Sequence, residues 1–338
     1  MRVAILAHEK FPDRAKTAVG VLRYADHDVV AVLDRERAGD SVQEYLDDPR
    51  IPDAPIVTGV EDAPAFDALI VGIAPIGGGF DDSWRPDVRG ALERDCDVFA
   101  GLHYQLGEDA EFAELAAEHD CELVDVREPP DDLTVSGGRA RDVDATVVLT
   151  AGTDCSTGKM TATMELREAA RERGLDAAVV PTGQTGILIE GWGIAVDRTI
   201  SDFTAGAVER MVHEVGDHDV VFVEGQGALG HPAYSAVTAA IVHGAMPDRM
   251  VLCHEAGRQS VHGYESFRLQ PPGEYASMYE RFATPVADSK VAAGMLNTAN
   301  LDGDRQARDA ISAYSEAIGV PATDPIRFDA NEVLDVLV

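Results

Sequence analysis

The chain has 338 residues, more than one ordinary domain needs and enough for two. Asp and Glu number 60 against 28 Lys plus Arg, a formal net charge of −32 spread along the whole sequence. Such a surface excludes sequence-independent nucleic-acid binding, which needs a basic face to neutralise phosphates, and no apolar run of eighteen residues is present to form a membrane-spanning helix.

The lysines are only Lys10, Lys16, Lys159 and Lys290. Dispersed acidity keeps a protein hydrated and is best tolerated where salt screens its self-repulsion, so the chain reads as adapted to a salt-rich cytoplasm. The N-terminal MRVAILAHEK has one short apolar run followed at once by charge, which reads as a first strand rather than a signal peptide. Cys96, Cys121, Cys155 and Cys253 form no C-x-x-C pair and no zinc spacing, as expected of reduced thiols in a cytoplasmic protein.

In chain order, RVAILA (2–7) is a first strand, residues 14–25 are helical, and DVVAVLD (28–34) is a second strand ending in acid. APIVTG (54–59), ALIVGIA (68–74), DVFAGLH (97–103) and CELVDVR (121–127) continue as strands, with helices over 86–95 and 108–119. Strands separated by helices imply a parallel sheet covered on both faces. The stretch 128–144 is rich in Pro, Gly and charge and marks the linker, giving domains over 1–140 and 141–338. The second domain opens on ATVVLTAG (145–152), runs through a helix over 159–173 to Gly174, and continues with strands over 176–183, 219–225, 248–254 and 290–298.

AGTDCSTGKMT (151–161) lies between an apolar strand and a helix, the setting a phosphate loop requires. Its glycines let successive amides turn toward an anion, the helix N-terminus adds partial positive charge, and Lys159 supplies a full cation. Gly152, Thr153, Asp154, Cys155, Ser156, Thr157, Gly158, Lys159, Met160 and Thr161 are therefore the candidate cofactor-binding residues. Five residues separate the two glycines instead of the usual four, and Met160 stands where a Mg²⁺-binding hydroxyl is usual, which leaves Thr157, Ser156 or Thr161 to replace it. VVFVEGQGALGHPAYS (220–235) delivers Glu224 at a strand's C-terminal end, where a carboxylate can hold Mg²⁺. PTGQTGI (181–187) reads as a hydroxyl-rich loop. Thr182, Gln184 and Thr185, with Gly225 and Gln226, are candidate substrate contacts, and Asn297 is placed to read a purine edge.

The N-terminal half has no glycine between residues 2 and 19, so the G-x-G-x-x-G fingerprint is absent and no NAD binding is expected. Asp34 sits where a ribose-binding acid would, which is weak evidence in so acidic a chain. The Gly77–Gly79 cluster and His103 stand at strand ends, where a ligand can approach.

GTDCSTGK, EGQG and the Asn297 strand end resemble the dethiobiotin synthetase group of P-loop enzymes. With PTGQTG, EGQGALGHPAYS and the N-terminal APIGGGF and GLH, nearly the whole chain resembles the D-glutamate N-acetyltransferase family. That resemblance implies an α/β protein with a Rossmann-like parallel-sheet N-terminal domain and a P-loop NTPase-like three-layer α/β/α C-terminal domain. It also implies acetyl transfer from acetyl-CoA to the amine of D-glutamate or a related acidic D-amino acid, by a cytoplasmic homo-oligomer acting on small molecules. The reaction needs a base for the ammonium and donors for the tetrahedral oxyanion. Lys159, Glu224, His231 and Tyr234 are the candidates, with His231 as acid/base because its ordinary pKa lies near neutrality. The alternative is an ATP- or GTP- and Mg²⁺-dependent enzyme that activates a carboxylate.

Overall fold

The computed structural model describes residues 1–75 and 78–338. Two compact units divide the chain, Met1–Pro129 with Gln184–Ala195, and Pro130–Gly183 with Val196–Val338.

In the first unit, β1 (Arg2–Leu6), β2 (Asp28–Leu33), β3 (Ile56–Val57), β4 (Ala68–Val71), β5 (Asp97–Ala100) and β6 (Leu123–Asp125) alternate with α1 (Lys16–Tyr24), α2 (Arg85–Leu92) and α3 (Ala110–His119). The sheet order is β3-β2-β1-β4-β5-β6 with every pairing parallel, the doubly wound arrangement of a Rossmann-like domain. Val3, Ala4, Ile5 and Leu6 of the central strand are fully buried, as an uninterrupted apolar run should be where both faces are covered. Asp34 is spent structurally, since its carboxylate accepts from the amides of Phe11 (3.2 Å) and Glu36 (2.9 Å). Of the glycine cluster, Gly77 lies outside the described residues. Gly78, at φ +64°, accepts the His103 amide at 2.9 Å, and a Cβ there would meet the His103 ring at 2.2 Å.

The second unit begins with β7 (Thr146–Gly152), α4 (Lys159–Glu172) and β8 (Ala177–Val180). The chain then makes α5 (Gln184–Glu190), which belongs to the first unit and packs on α1, where Thr185 Oγ1 lies 2.8 Å from Thr17 Oγ1. Residues 181–187 were expected to form a loop. Instead the helix begins at Gln184, because burial of Ile187, Leu188 and Ile189 outweighs the poor helix propensity of Gly186. The second unit resumes with α6 (Ser201–Glu214), β9 (Val220–Val223), α7 (Ser235–Ala245) and β10 (Arg249–Glu255). A hairpin of β11 (Ser260–Val261) and β12 (Tyr264–Arg268) follows, then α8 (Pro272–Ala283), β13 (Lys290–Asn297), α9 (Gly303–Ile318), β14 (Ala322–Thr323) and α10 (Asn331–Leu334). Its main sheet has the order β14-β13-β10-β7-β9-β8, again all parallel. β7 is thus central, and its C-terminal end lies where ligands bind in open α/β sheets.

The linker-like composition of 128–144 hides an ordered segment. From Pro130 onward it counts with the second unit, and the Glu209 carboxylate on α6 accepts from the Gly137 and Arg139 amides (2.8 and 2.7 Å) and the Ser136 hydroxyl (2.9 Å). The segment also packs closely on α6, where a Cβ on Gly206 would lie 1.9 Å from Thr134 O.

Candidate functional site

The second unit's candidate site grows from the end of β7. The Thr153 amide donates to Cys253 O (3.0 Å), so the loop leaves the sheet still tied to β10. Ser156 (φ +54°) and Gly158 (φ +90°) take left-handed conformations, which curl the chain so that α4 begins at Lys159. The first amides of a helix have no intrahelical acceptor, so this turn brings such amides and the positive end of the α4 dipole to the strand end. Lys159 folds back into the loop, where its ammonium donates to Asp154 O at 2.7 Å and lies 3.4 Å from Thr157 Oγ1. Its stem crosses Gly152 so closely that a Cβ there would meet Nζ at 2.8 Å, which is why residue 152 is glycine. The loop itself therefore holds the cation through a backbone carbonyl.

Asp154 is fully buried and shapes the loop rather than facing outward. One carboxylate oxygen accepts the Cys155 amide (2.7 Å), and the other accepts the Arg258 guanidinium (3.1 Å) and the His262 amide (2.8 Å). Arg258 also donates to Cys155 O at 2.6 Å and pairs with Glu255. Thr153 Oγ1 meets His254 Nδ1 at 2.7 Å; burial first, and the Arg258 charge second, push that imidazole's pKa down to about 4. Tyr279, fully buried, donates its hydroxyl to Gly152 O (2.8 Å) and accepts the Leu229 amide (3.3 Å), joining the phosphate loop to the glycine-rich loop after β9. Arg258, His262 and Tyr279 carry no motif. They stand about a hundred residues along the chain from the loop they brace, and only the fold brings them there.

Glu224 follows β9 directly, and its carboxylate accepts the amides of Thr182 (3.2 Å) and Gly183 (3.1 Å). Thr182 Oγ1 donates to Glu224 O (2.7 Å) and Gln226 Nε2 donates to Thr182 O (2.6 Å), so these three residues knit two strand ends together. Gly225 permits close packing: a Cβ would lie 1.9 Å from Thr150 O. Gln184 and Thr185, expected beside Thr182, belong to the first unit and are buried there. Met160 and Thr161 lie in the first turn of α4, while the hydroxyl that bonds into the sheet is that of Thr163, 2.8 Å from Thr150 Oγ1. Asn297, at the end of β13, approaches the loop, its Cβ lying 4.0 Å from where a Cβ on Gly158 would stand. Its amide oxygen accepts the Ala299 amide at 3.0 Å.

His231 is 2 % exposed, and its Nδ1 accepts the amides of Ala233 (3.0 Å) and Tyr234 (3.2 Å) just before α7. Its Nε2 lies 3.8 Å from Asp154 Oδ1, so the loop after β9 and the phosphate loop converge. Tyr234 is half exposed, with its ring 4.8 Å from the imidazole. The structure therefore gathers Lys159, Asp154, Cys155, Arg258 and His231 at one strand end, with Glu224 and Thr182 at the neighbouring one.

Comparison with known proteins bears on this geometry. Residues 134–334 match a domain of unknown function, DUF1611_C, described as a P-loop domain, and residues 35–129 match DUF1611_N, described as a Rossmann-like domain. A D-glutamate N-acetyltransferase from Pseudoalteromonas sp. is 32% identical over 269 residues, covering 79% of this chain and 80% of that protein. One from Tritonibacter scottomollicae is 34% identical over 285 residues, covering 82% and 84%. The crystal structure of a DUF1611 family protein from Anabaena variabilis superposes with a TM-score of 0.93 at 38% identity, covering 99% of this chain and 98% of that one.

Proposed function

The chain belongs to the DUF1611 family, and from that premise we propose that it is an acyl-CoA-dependent N-acetyltransferase acting on D-glutamate or a related acidic D-amino acid. The observation that carries the reading is a glycine-rich loop holding the Lys159 ammonium at the start of α4, which we take as an anion cradle, in a chain 32% and 34% identical to two D-glutamate N-acetyltransferases. Acetyl-CoA supplies the acetyl group as a thioester and brings a diphosphate and a 3′-phosphate for the cradle to hold.

The residues present fit a phosphate group. Lys159 carries its charge inside the loop, the first amides of α4 are donors, and Arg258 fixes the loop through Asp154 and the Cys155 carbonyl. No bond to phosphorus need break for this to be useful, so the unusual glycine spacing and Met160 are compatible with a loop that grips without hydrolysing. Holding one reactant by its phosphates turns the encounter with the amine into an intramolecular one. The amine must lose a proton before it attacks the thioester carbonyl, and the products are the N-acetyl amino acid and free coenzyme A thiol.

Incubating the full chain with D-glutamate and acetyl-CoA tests this, with free thiol and the N-acetylated amino acid as the expected products. Formation of ADP from ATP and Mg²⁺ with an acidic substrate, and no thiol release, would replace the reading with that of a carboxylate-activating P-loop enzyme.

A further inference from the structure

We infer that His231 serves this site as a fixed, neutral hydrogen-bond donor, presenting Nε2–H to an oxygen of the bound ligand, and not as the proton-accepting base that its residue type suggests. The inference rests on the acetyl-transfer reading of the same site and assigns a chemical role within it.

Two backbone amides, those of Ala233 and Tyr234, point at Nδ1, and both need its lone pair. A neutral imidazole has one N–H and one bare nitrogen, so with Nδ1 bare the proton is on Nε2. To accept a second proton, the ring would have to place it on Nδ1, against two donors that cannot turn away. Nε2 is buried and has no hydrogen-bond partner among the described residues, and at 3.8 Å the Asp154 oxygen is too far to be one. The groups facing the ring are Asp154, Cys155 and Lys159 from the phosphate loop, Tyr264 from the hairpin and Tyr234 beside it, with Tyr275 of α8 against the neighbouring Gly230. Burial pushes the imidazole's pKa down; the Asp154 carboxylate opposes this and the Lys159 ammonium adds to it.

A metal ion is the competing account, because donor atoms of Asp154, Cys155 and His231 all lie within 4.8 Å of one another. It fails for the same reason. Ligation through Nε2 would force the proton to Nδ1, and both Asp154 oxygens already accept, from the Cys155 amide, Arg258 and the His262 amide. A cation would also share the site with Arg258 and Lys159, whose charges suit an anion. An unpaired N–H donor at a buried position is costly until an acceptor docks on it. A neutral imidazole is suited to this task, polarising an oxygen without passing its proton on. The acceptor is an oxygen of the acyl-CoA, either on phosphate or on the thioester carbonyl.

Nitrogen-15 NMR of the full chain with labelled histidine tests this directly, the His231 signals being assigned by contact with the Tyr234 and Tyr264 rings. The expected result is an Nε2–H tautomer that stays neutral from pH 5 to 8 (roughly the range in which an ordinary histidine titrates). Addition of acetyl-CoA should shift the Nε2–H signals. The same shift with pyrophosphate assigns the acceptor to phosphate, and a shift with acetyl-CoA alone assigns it to the thioester. Protonation of the ring within that range, an Nδ1–H tautomer, or no response to either compound would overturn the role. In turnover, His231→Gln keeps an N–H donor and should retain activity to within a few-fold, whereas His231→Ala should lose about 10- to 100-fold in kcat/KM. Equal losses in both variants, together with disappearance of an acid limb in the pH profile, would make His231 the base after all. If the wild-type chain transfers no acetyl group, the functional reading fails, while the tautomer and its response to pyrophosphate still decide the donor role.

Discussion

Replacing Lys159 by Met removes one charge and keeps the length and apolar stem of the side chain. Within its loop the ammonium donates to Asp154 O at 2.7 Å and lies 3.4 Å from Thr157 Oγ1. After the change Asp154 O still has a donor, the Thr157 hydroxyl at 3.3 Å, so the loss at that carbonyl should be no more than about 1 kcal/mol. Binding should suffer more. Two unit charges 4 Å apart interact by about 4 kcal/mol at the effective dielectric of a protein surface. The ammonium must exchange its bond to the loop carbonyl for one to the ligand, which brings the net contribution into the range of about 1.5–3 kcal/mol for a charge-assisted hydrogen bond. That corresponds to about a 10- to 150-fold weaker Kd for acetyl-CoA. Calorimetry at one fixed KCl concentration reads it, since ionic strength alone alters such affinities. A Kd within about twofold of wild type, in a variant that melts like the parent, would show that the loop does not hold the phosphates.

Gly225→Ala would place a methyl 1.9 Å from Thr150 O in a backbone-lined contact, so denaturant unfolding should show a loss at or above the ordinary overpacking cost of about 1–3 kcal/mol; unchanged stability would mean that the two strands separate more freely than the packing implies. At Glu209, burial raises the carboxyl pKa, but the Arg139 and Gly137 amides and the Ser136 hydroxyl outweigh it and hold the pKa below its usual value. The stabilisation is therefore present above the unfolded-state value of about 4.3 and is lost as pH falls through the folded value. Glu209→Gln should destabilise by about 1–3 kcal/mol at pH 7, with the difference from wild type shrinking in acid; a gap independent of pH would refute the charge-based account. With a formal charge of −32, Tm should rise between about 0.1 and 2 M KCl as the Debye length falls from about 10 Å to below about 3 Å, and a Tm indifferent to salt would remove the proposed adaptation to high salt.

Much of the fold was legible because it is written in local pattern. Strands buried on both faces read as unbroken apolar runs, and the runs at 2–7, 145–152 and 219–225 became β1, β7 and β9 with ends trimmed by one or a few residues. The phosphate loop was legible because glycine spacing, strand, helix and lysine are all contiguous. The hairpin of β11 and β12 was missed, since five exposed residues in β12 carry no apolar alternation. Residues 181–187 read as loop because Gly183, Gly186 and polar side chains mask the start of a helix that burial holds in the first unit.

Local pattern alone was enough for two α/β units, their parallel sheets and the place of the glycine-rich loop after β7, because strand periodicity and turn chemistry act within a few residues. Only the tertiary structure decided how each polar side chain spends its bonds. Asp34 proved to be a brace for a turn, Asp154 a brace for the phosphate loop, and His231 a ring locked by two amides. Residue type fixes what a side chain can donate or accept, whereas its role depends on which of those capacities the surrounding backbone has already taken, and that is set by contacts far apart in the chain.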